Sequence, residues 1–334
     1  MQPARTSPLR PLVGLFLGLA GLGIILGGRI TTGDQTAEAL PDATQDVLTL
    51  AFSVLIESLP FIILGITLSI LVQIWLPDQL LFRILPKNAF GRRAVISMLG
   101  MFLPVCECGN VPLARGLVSK GYTVSDSMTF LLAAPILNPV TIITTHQAFG
   151  FDDGILVARL IGGFLIANLL GWLFSLHPQP MSLLTPAFEK SCAVVPSGIQ
   201  PTKVQRSVDL FVRESSVLMP ALIIGSLVAG LIQVVISRDT LVQLGSDPLW
   251  SVVAMMILAF VISICANVDA FFILPFATTF LPGSIAAFLI LGPIIDIKML
   301  ALLRTTYRTG TLVQISTVVV LMTAAIGTVV NLIA

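Results

Sequence analysis

The chain has 334 residues, of which 56% are hydrophobic and 10% charged, with a formal net charge of +1. Soluble domains carry about 25% charged residues; here the shortfall falls in long uncharged runs, and about 20 apolar residues suffice to span a bilayer. The near-neutral charge gives nucleic acid no basic surface to bind, and four cysteines are too few for a disulfide scaffold. In chain order, the first apolar run, Pro11 to Gly28, follows Arg5 and Arg10. It reads as a retained helix rather than a cleaved signal. It is longer than an ordinary signal core, and the small-x-small triplet Ala37-Glu38-Ala39 lies about ten residues beyond its end.

Eight more apolar segments follow, at 47–76, 93–118, 124–147, 154–176, 208–237, 249–277, 283–304 and 311–333. The longest polar connection, 177–207, carries five prolines with Glu189, Lys190, Lys203 and Arg206. The expected organisation is an N-terminal membrane helix with an acidic external loop (1–46), a first repeat (47–176), a cytoplasmic linker (177–207) and a second repeat (208–334). Two segments are interrupted, one by Pro104-Val-Cys-Glu-Cys-Gly-Asn-Val-Pro112 and the other by Cys265-Ala-Asn-Val-Asp269 with Pro275 soon after. Proline removes a backbone donor and glycine loosens the helix. Broken backbone at membrane depth survives only where protein or a wet cavity satisfies it.

The halves resemble each other. Pro60-Phe-Ile-Ile-Leu-Gly65 matches Pro220-Ala-Leu-Ile-Ile-Gly225, and Gln73 matches Gln233. Cys108-Gly-Asn-Val111 matches Cys265-Ala-Asn-Val268, and Ala134-Pro-Ile-Leu-Asn138 matches Gly292-Pro-Ile-Ile-Asp296. Chance identity in apolar sequence favours Leu, Ile and Val, not Pro, Gly, Gln, Cys and Asn. Charge sets the orientation. Loop 30–46 carries Asp34, Glu38, Asp42 and Asp46 and no basic residue, whereas 77–93 carries Arg83, Lys87, Arg92 and Arg93. If the two interrupted segments are re-entrant, the basic linker, Lys120, Arg304 and Arg308 all fall inside. Each repeat then has three crossings and one broken segment, and the second is inverted relative to the first. Inverted repeats with broken helices meeting at the midplane mark transporters. The fold expected is therefore an all-α polytopic membrane protein of the cytoplasmic (inner) membrane.

The breaks carry the chemistry. Cys106, Cys108 and Cys265 are soft donors suited to a thiophilic solute, although a buried cysteine is also an ordinary small packing residue. Asn110, Asn267, Asn138 and Asp296 supply polar walls; the last two follow prolines and are equally suited to capping the freed backbone. Glu107 and Asp269 lie where an ionised group is costly and are candidates for a coupling proton; pairing of Glu107 with Arg115 is the plainer alternative. No phosphate-binding loop, HExxH motif or nucleophile elbow occurs, so a gradient rather than ATP is the expected driving force. No cofactor or metal is expected. The expected partners are the lipid bilayer and a small-molecule solute, with homodimerisation left open.

Cys106-Glu-Cys-Gly-Asn-Val-Pro112, followed by Leu131-Leu-Ala-Ala-Pro-Ile-Leu-Asn-Pro139, resembles the predicted bacterial permeases of the organoarsenical-efflux type, the ArsP-like permeases. The resemblance runs from about residue 47 to the C-terminus. It implies a permease rather than an enzyme, and in some members efflux of trivalent organoarsenicals and arsenical resistance. A thiol-based solute site in such members maps onto Cys106, Cys108 or Cys265. Glu107 and Asn110 stand where some relatives have serine or small residues. Two rival readings remain: a membrane thiol oxidoreductase using Cys106 and Cys108 as a redox pair, and a channel for a small solute.

Overall fold

The computed structural model describes residues 42–77, 86, 88–102, 105–151, 153–193, 202–235 and 248–333. The expected N-terminal helix, Arg83, Lys87 and Pro104 lie outside the described residues. The described chain is almost all helix, and its only β pairing is an isolated bridge between Leu184 and Tyr307. In the first half, α1 (Asp42–Ile70) continues through a π-helical turn to Trp75. It is followed by α2 (Ala89–Met98, extended by a 3-10 turn to Phe102), α3 (Glu107–Ser119), α4 (Val124–Ala133), α5 (Pro139–Phe149) and α6 (Ile155–Ser175). The linker carries α7 (Pro186–Ala193). The second half contains α8 (Lys203–Val235), α9 (Pro248–Ile262), α10 (Asp269–Ile273), α11 (Pro282–Ile294), α12 (Ile297–Leu303) and α13 (Thr309–Ile333).

Among the described residues, five spans are long and apolar enough to cross a membrane: Thr44–Trp75, Ile155–Ser175, Lys203–Val234, Pro282–Leu303 and Thr309–Ile333. Their faces show which solvent they meet. On α1, Ile62 and Ile66 are buried while Ile56, Ile63 and Leu64 are exposed; on α8, Leu218 and Leu222 are buried while Ile223, Ile224 and Leu227 are exposed. A helix that is apolar on both its inner and outer faces belongs in lipid. The protein is thus a multi-pass integral membrane protein.

α3, α4 and α11 form the interior, with every residue from Glu107 to Val118, Val124 to Ala133 and Gly283 to Ile294 buried. α1 and α8 pack against each other; α1 also covers α3, and α8 covers α12. Lipid tails are as apolar as leucine, so close backbone approach rather than the hydrophobic effect drives this packing. A Cβ on Gly65 would lie 2.7 Å from Gly109 Cα, and a Cβ on Gly225 would lie 3.2 Å from Lys298 Cα. The glycines of the two matched Pro-x-x-x-x-Gly motifs therefore seat the two helices that carry Glu107 and Lys298.

Two expected crossings are broken rather than continuous. The 124–147 segment divides into α4 and α5, with Asn138 accepting from the Val140 amide at 2.9 Å and Pro139 opening the helix. The 283–304 segment divides into α11 and α12, with Asp296 accepting from the Met299 amide at 2.5 Å. Proline cannot donate within a helix, so the chain restarts with a side-chain cap.

Contacts at the helix ends fix where the hairpins open. Arg92, early in α2, pairs with Asp126 at the start of α4 at 2.8 Å. Both ends of the α2–α3 hairpin therefore lie at the linker end of the molecule. Ser251, early in α9, lies 2.7 Å from Ser284 at the start of α11, and Asn331 at the end of α13 accepts from the Gly283 amide at 2.7 Å. The start of α13 instead meets the linker, where Thr311 donates to the Leu183 carbonyl at 3.1 Å.

Candidate functional site

The break before α3 brings Cys106 and Glu107 to the break before α10. Cys106 Sγ, Cys265 Sγ and a Glu107 carboxylate oxygen lie within 4.8 Å of one another, and all three residues are buried. The Cys265 thiol points at Glu107 Oε2 at 3.5 Å, and the Ala266 amide donates to the same oxygen at 3.4 Å. Cys108 Sγ lies 4.0 Å from Glu107 Oε1. All four cysteines are free thiols; Cys192 sits apart on α7, half-buried.

Lys298 completes the cluster. Its Nζ donates to Glu107 Oε1 at 3.0 Å and lies 3.9 Å from Asp296 Oδ2, an oxygen with no hydrogen bond of its own. Both lysine and aspartate are 0% exposed, so the ammonium is held entirely by these carboxylates. Glu57 of α1, half-buried, is close enough to feel the charges of Lys298 and Glu107. Two carboxylates therefore face one ammonium.

The remaining candidates divide. Asn110 is 1% exposed and neither atom of its amide has a hydrogen bond. A buried amide without partners is rare in a finished core. Asn138 and Asp296 cap α5 and α12, the plainer of their two expected roles; Asn138 also donates to the Val105 carbonyl at 2.9 Å, tying the α4–α5 break to the Cys106 break. Asn267 accepts a long 3.5 Å contact from the Thr141 hydroxyl. Asp269 stands apart in a two-pronged ion pair with Arg159, at 2.6 and 3.0 Å, and Thr145 accepts from the same guanidinium at 2.7 Å.

The local pairing of Glu107 with Arg115, the plainer alternative to a functional role, does not form. Arg115 pairs with Glu214 at 2.6 Å, donates to the Thr305 carbonyl and Thr306 hydroxyl at 3.2 Å, and stacks its guanidinium 4.1 Å from the Phe188 ring centre. Sequence reasoning missed Arg159 and the partner roles of Lys298 and Glu214. Each is an ionisable residue in or beside an apolar run, a signal that by itself marks function or a buried partner. Three buried pairs (Glu107–Lys298, Arg115–Glu214 and Arg159–Asp269) join the first half to the second.

Relatives place the chain among permeases. It is 34% identical to the UPF0718 protein YcgR of Bacillus subtilis over 77% of this chain and 87% of that protein. It is 32% identical to a putative two-component membrane permease complex subunit of Streptococcus mutans, over 82% of this chain and 91% of the relative. The UPF0718 protein YraQ of Escherichia coli is 25% identical over 33% of this chain and 32% of its own length. No solved structure matches. A family described as predicted permease matches residues 43–332, and the chain belongs to that family, the ArsP-like permeases.

Proposed function

We propose that this membrane permease is a secondary transporter built from two inverted repeats, 47–176 and 208–334, with its solute site where the two breaks meet. The observation that carries the reading is the convergence of Cys106, Glu107 and Cys265 from opposite halves into one buried cluster. Broken helices from paired repeats that meet at a polar centre are how secondary transporters build a midplane site. The opposite openings of the α2–α3 and α9–α10 hairpins support the inversion.

In this reading Cys106, Cys108 and Cys265 contact a small thiophilic solute, of which trivalent organoarsenicals are the leading example, and the transport is efflux from the cytoplasm. Asn110, with its unpartnered amide, is the polar contact to the solute; Asn267, Asn138 and Asp296 shape the walls. Glu107 carries the coupling proton, because it touches both the thiols and the exchangeable ammonium of Lys298. Asp269, clamped by Arg159, is the second candidate for that role. The name of the Streptococcus relative supports a second membrane subunit as a partner.

The test is survival and accumulation in cells exposed to methylarsenite, arsenite and a non-thiophilic control. Wild type gives protection with lowered accumulation of methylarsenite. Cys106→Ser and Cys265→Ser lose it, and Cys192→Ser keeps it. Equal protection by all three variants rejects the thiol site.

A further inference from the structure

The reading above gives Glu107 a coupling proton but leaves the Lys298 ammonium beside it without work. Methylarsenite binds two thiols by forming two As–S bonds, while the two thiol protons leave with its two hydroxyls as water. The product is uncharged and needs no carboxylate. Yet Glu107 and Asp296 both face Lys298, a formal excess of one negative charge beside three thiols. Burying charge in this way is costly unless something binds there.

We infer that Cys106, Glu107 and Cys265 bind a soft divalent cation of the zinc or cadmium class, and that Lys298 competes with it for Glu107. This rests on the permease reading and names a substrate class for its site. The geometry fits. A tetrahedral zinc ion with Zn–S of about 2.3 Å and Zn–O of about 2.0 Å holds its sulfur and oxygen ligands about 3.5 Å apart. Cys265 Sγ and Glu107 Oε2 are separated by 3.5 Å. The Ala266 amide orients that oxygen toward the sulfur. Three protein ligands leave the fourth position of a tetrahedral ion open, unlike the closed set of a structural site, and the Cys108 thiol stands beside the cluster.

The ammonium answers how the ion is admitted and released. With Lys298 3.0 Å from Oε1, an ion on Oε2 meets a positive charge across a single carboxylate. Asp296 Oδ2, buried and without a hydrogen bond, lies 3.9 Å from the same Nζ and is its second seat. The ion takes Glu107 as Lys298 moves to Asp296; the return of Lys298 expels the ion. On binding, Cys106 and Cys265 each exchange a thiol proton for a metal–sulfur bond, so two protons are released per ion.

The purified full-length chain in detergent is titrated in parallel with Cd2+, read by cadmium–thiolate absorption and proton release, and with methylarsenite. Wild type binds one Cd2+ per chain and releases two protons. Glu107→Gln weakens Cd2+ binding at least about tenfold, and Cys192→Ser, apart from the cluster, changes neither titration. Cys106→Ser and Cys265→Ser weaken both. Lys298→Met tightens Cd2+ binding about tenfold by removing the competitor. The double variant Lys298→Met/Asp296→Asn keeps the formal charge of the site and does the same if the single variant does not fold. A wild type that binds methylarsenite through its thiols but gives no cadmium–thiolate absorption overturns the cation site and leaves the permease reading standing. Unchanged Cd2+ affinity in Glu107→Gln overturns the ligand set. Affinity in the lysine variants equal to or weaker than wild type overturns the competition. Serine variants that bind and export methylarsenite normally reject the reading beneath it instead.

Discussion

Arg115, Glu214, Arg159, Asp269, Lys298 and Glu107 are each at most 4% exposed, and each spans the two halves through its partner. A buried pair contributes little net stability, because desolvation offsets the attraction, but removing one member strands the other. Arg115→Ala is therefore expected to cost about 3–5 kcal/mol by stranding Glu214. Replacing both, as Arg115→Met/Glu214→Leu, should recover most of that loss. Thermal melting followed by size-exclusion chromatography checks both variants; a single variant as stable as wild type rejects the argument. Glu107 and Asp269 were readable from sequence as costly intramembrane charges, but Glu214 and the partners of all three were not. Glu107 and Lys298 are 191 positions apart, and Arg159 and Asp269 are 110 apart. One sequence without its fold carries no information at that range.

Among the elements, the matched helices α1 and α8 show what a glycine permits. Gly65 lets α1 rest on the backbone of Gly109 in α3, two residues from Glu107. Gly225 lets α8 rest on Lys298 and Ala301 of α12, where the nearest atom to an added Cβ is the Ala301 methyl at 2.9 Å. Backbone cannot yield as a side chain can, and overpacking costs about 1–3 kcal/mol. Gly65→Ala should lose monodisperse protein, whereas Gly225→Ala should keep it and lose transport by displacing Lys298. Gly310→Ala, with nothing within 4 Å of its added Cβ, is the neutral control. Equal expression and transport in all three would show that these approaches are not critical. The Pro-x-x-x-x-Gly matches and the interrupted segments were legible because they consist of residues that hydropathy does not favour. The breaks at Asn138 and Asp296 were legible from their prolines, but not that they divide the 124–147 and 283–304 segments into separate helices, because composition reports where a chain is apolar, not where its backbone hydrogen bonds stop.

For the whole molecule the question is whether the halves face opposite ways, and two equivalent residues decide it. Thr123 is the cap before α4 and Leu281 the residue before α11; they are 158 positions apart, as are Asn138 and Asp296, and both are exposed. Thr123 follows Lys120 and lies at the end of the molecule that carries the linker, Arg304 and Arg308. Leu281 lies at the other end, beside Asn331 and Gly283, and the stretch from Asp269 to Ile297 contains no basic residue. Lysine and arginine collect on the cytoplasmic side, so the proposed orientation puts the first end inside and the second outside. In a chain with Cys192→Ser, the remaining cysteines are buried and a new cysteine reports its own side. Leu281→Cys should react with a membrane-impermeant maleimide in intact cells, and Thr123→Cys only after permeabilisation. Labelling of both from the same side would make the repeats parallel and remove the twofold relation between the breaks. Labelling from opposite sides makes the Cys106 and Cys265 breaks partners across one axis, so the same rearrangement, run in either half, opens the thiol cluster to one face or the other.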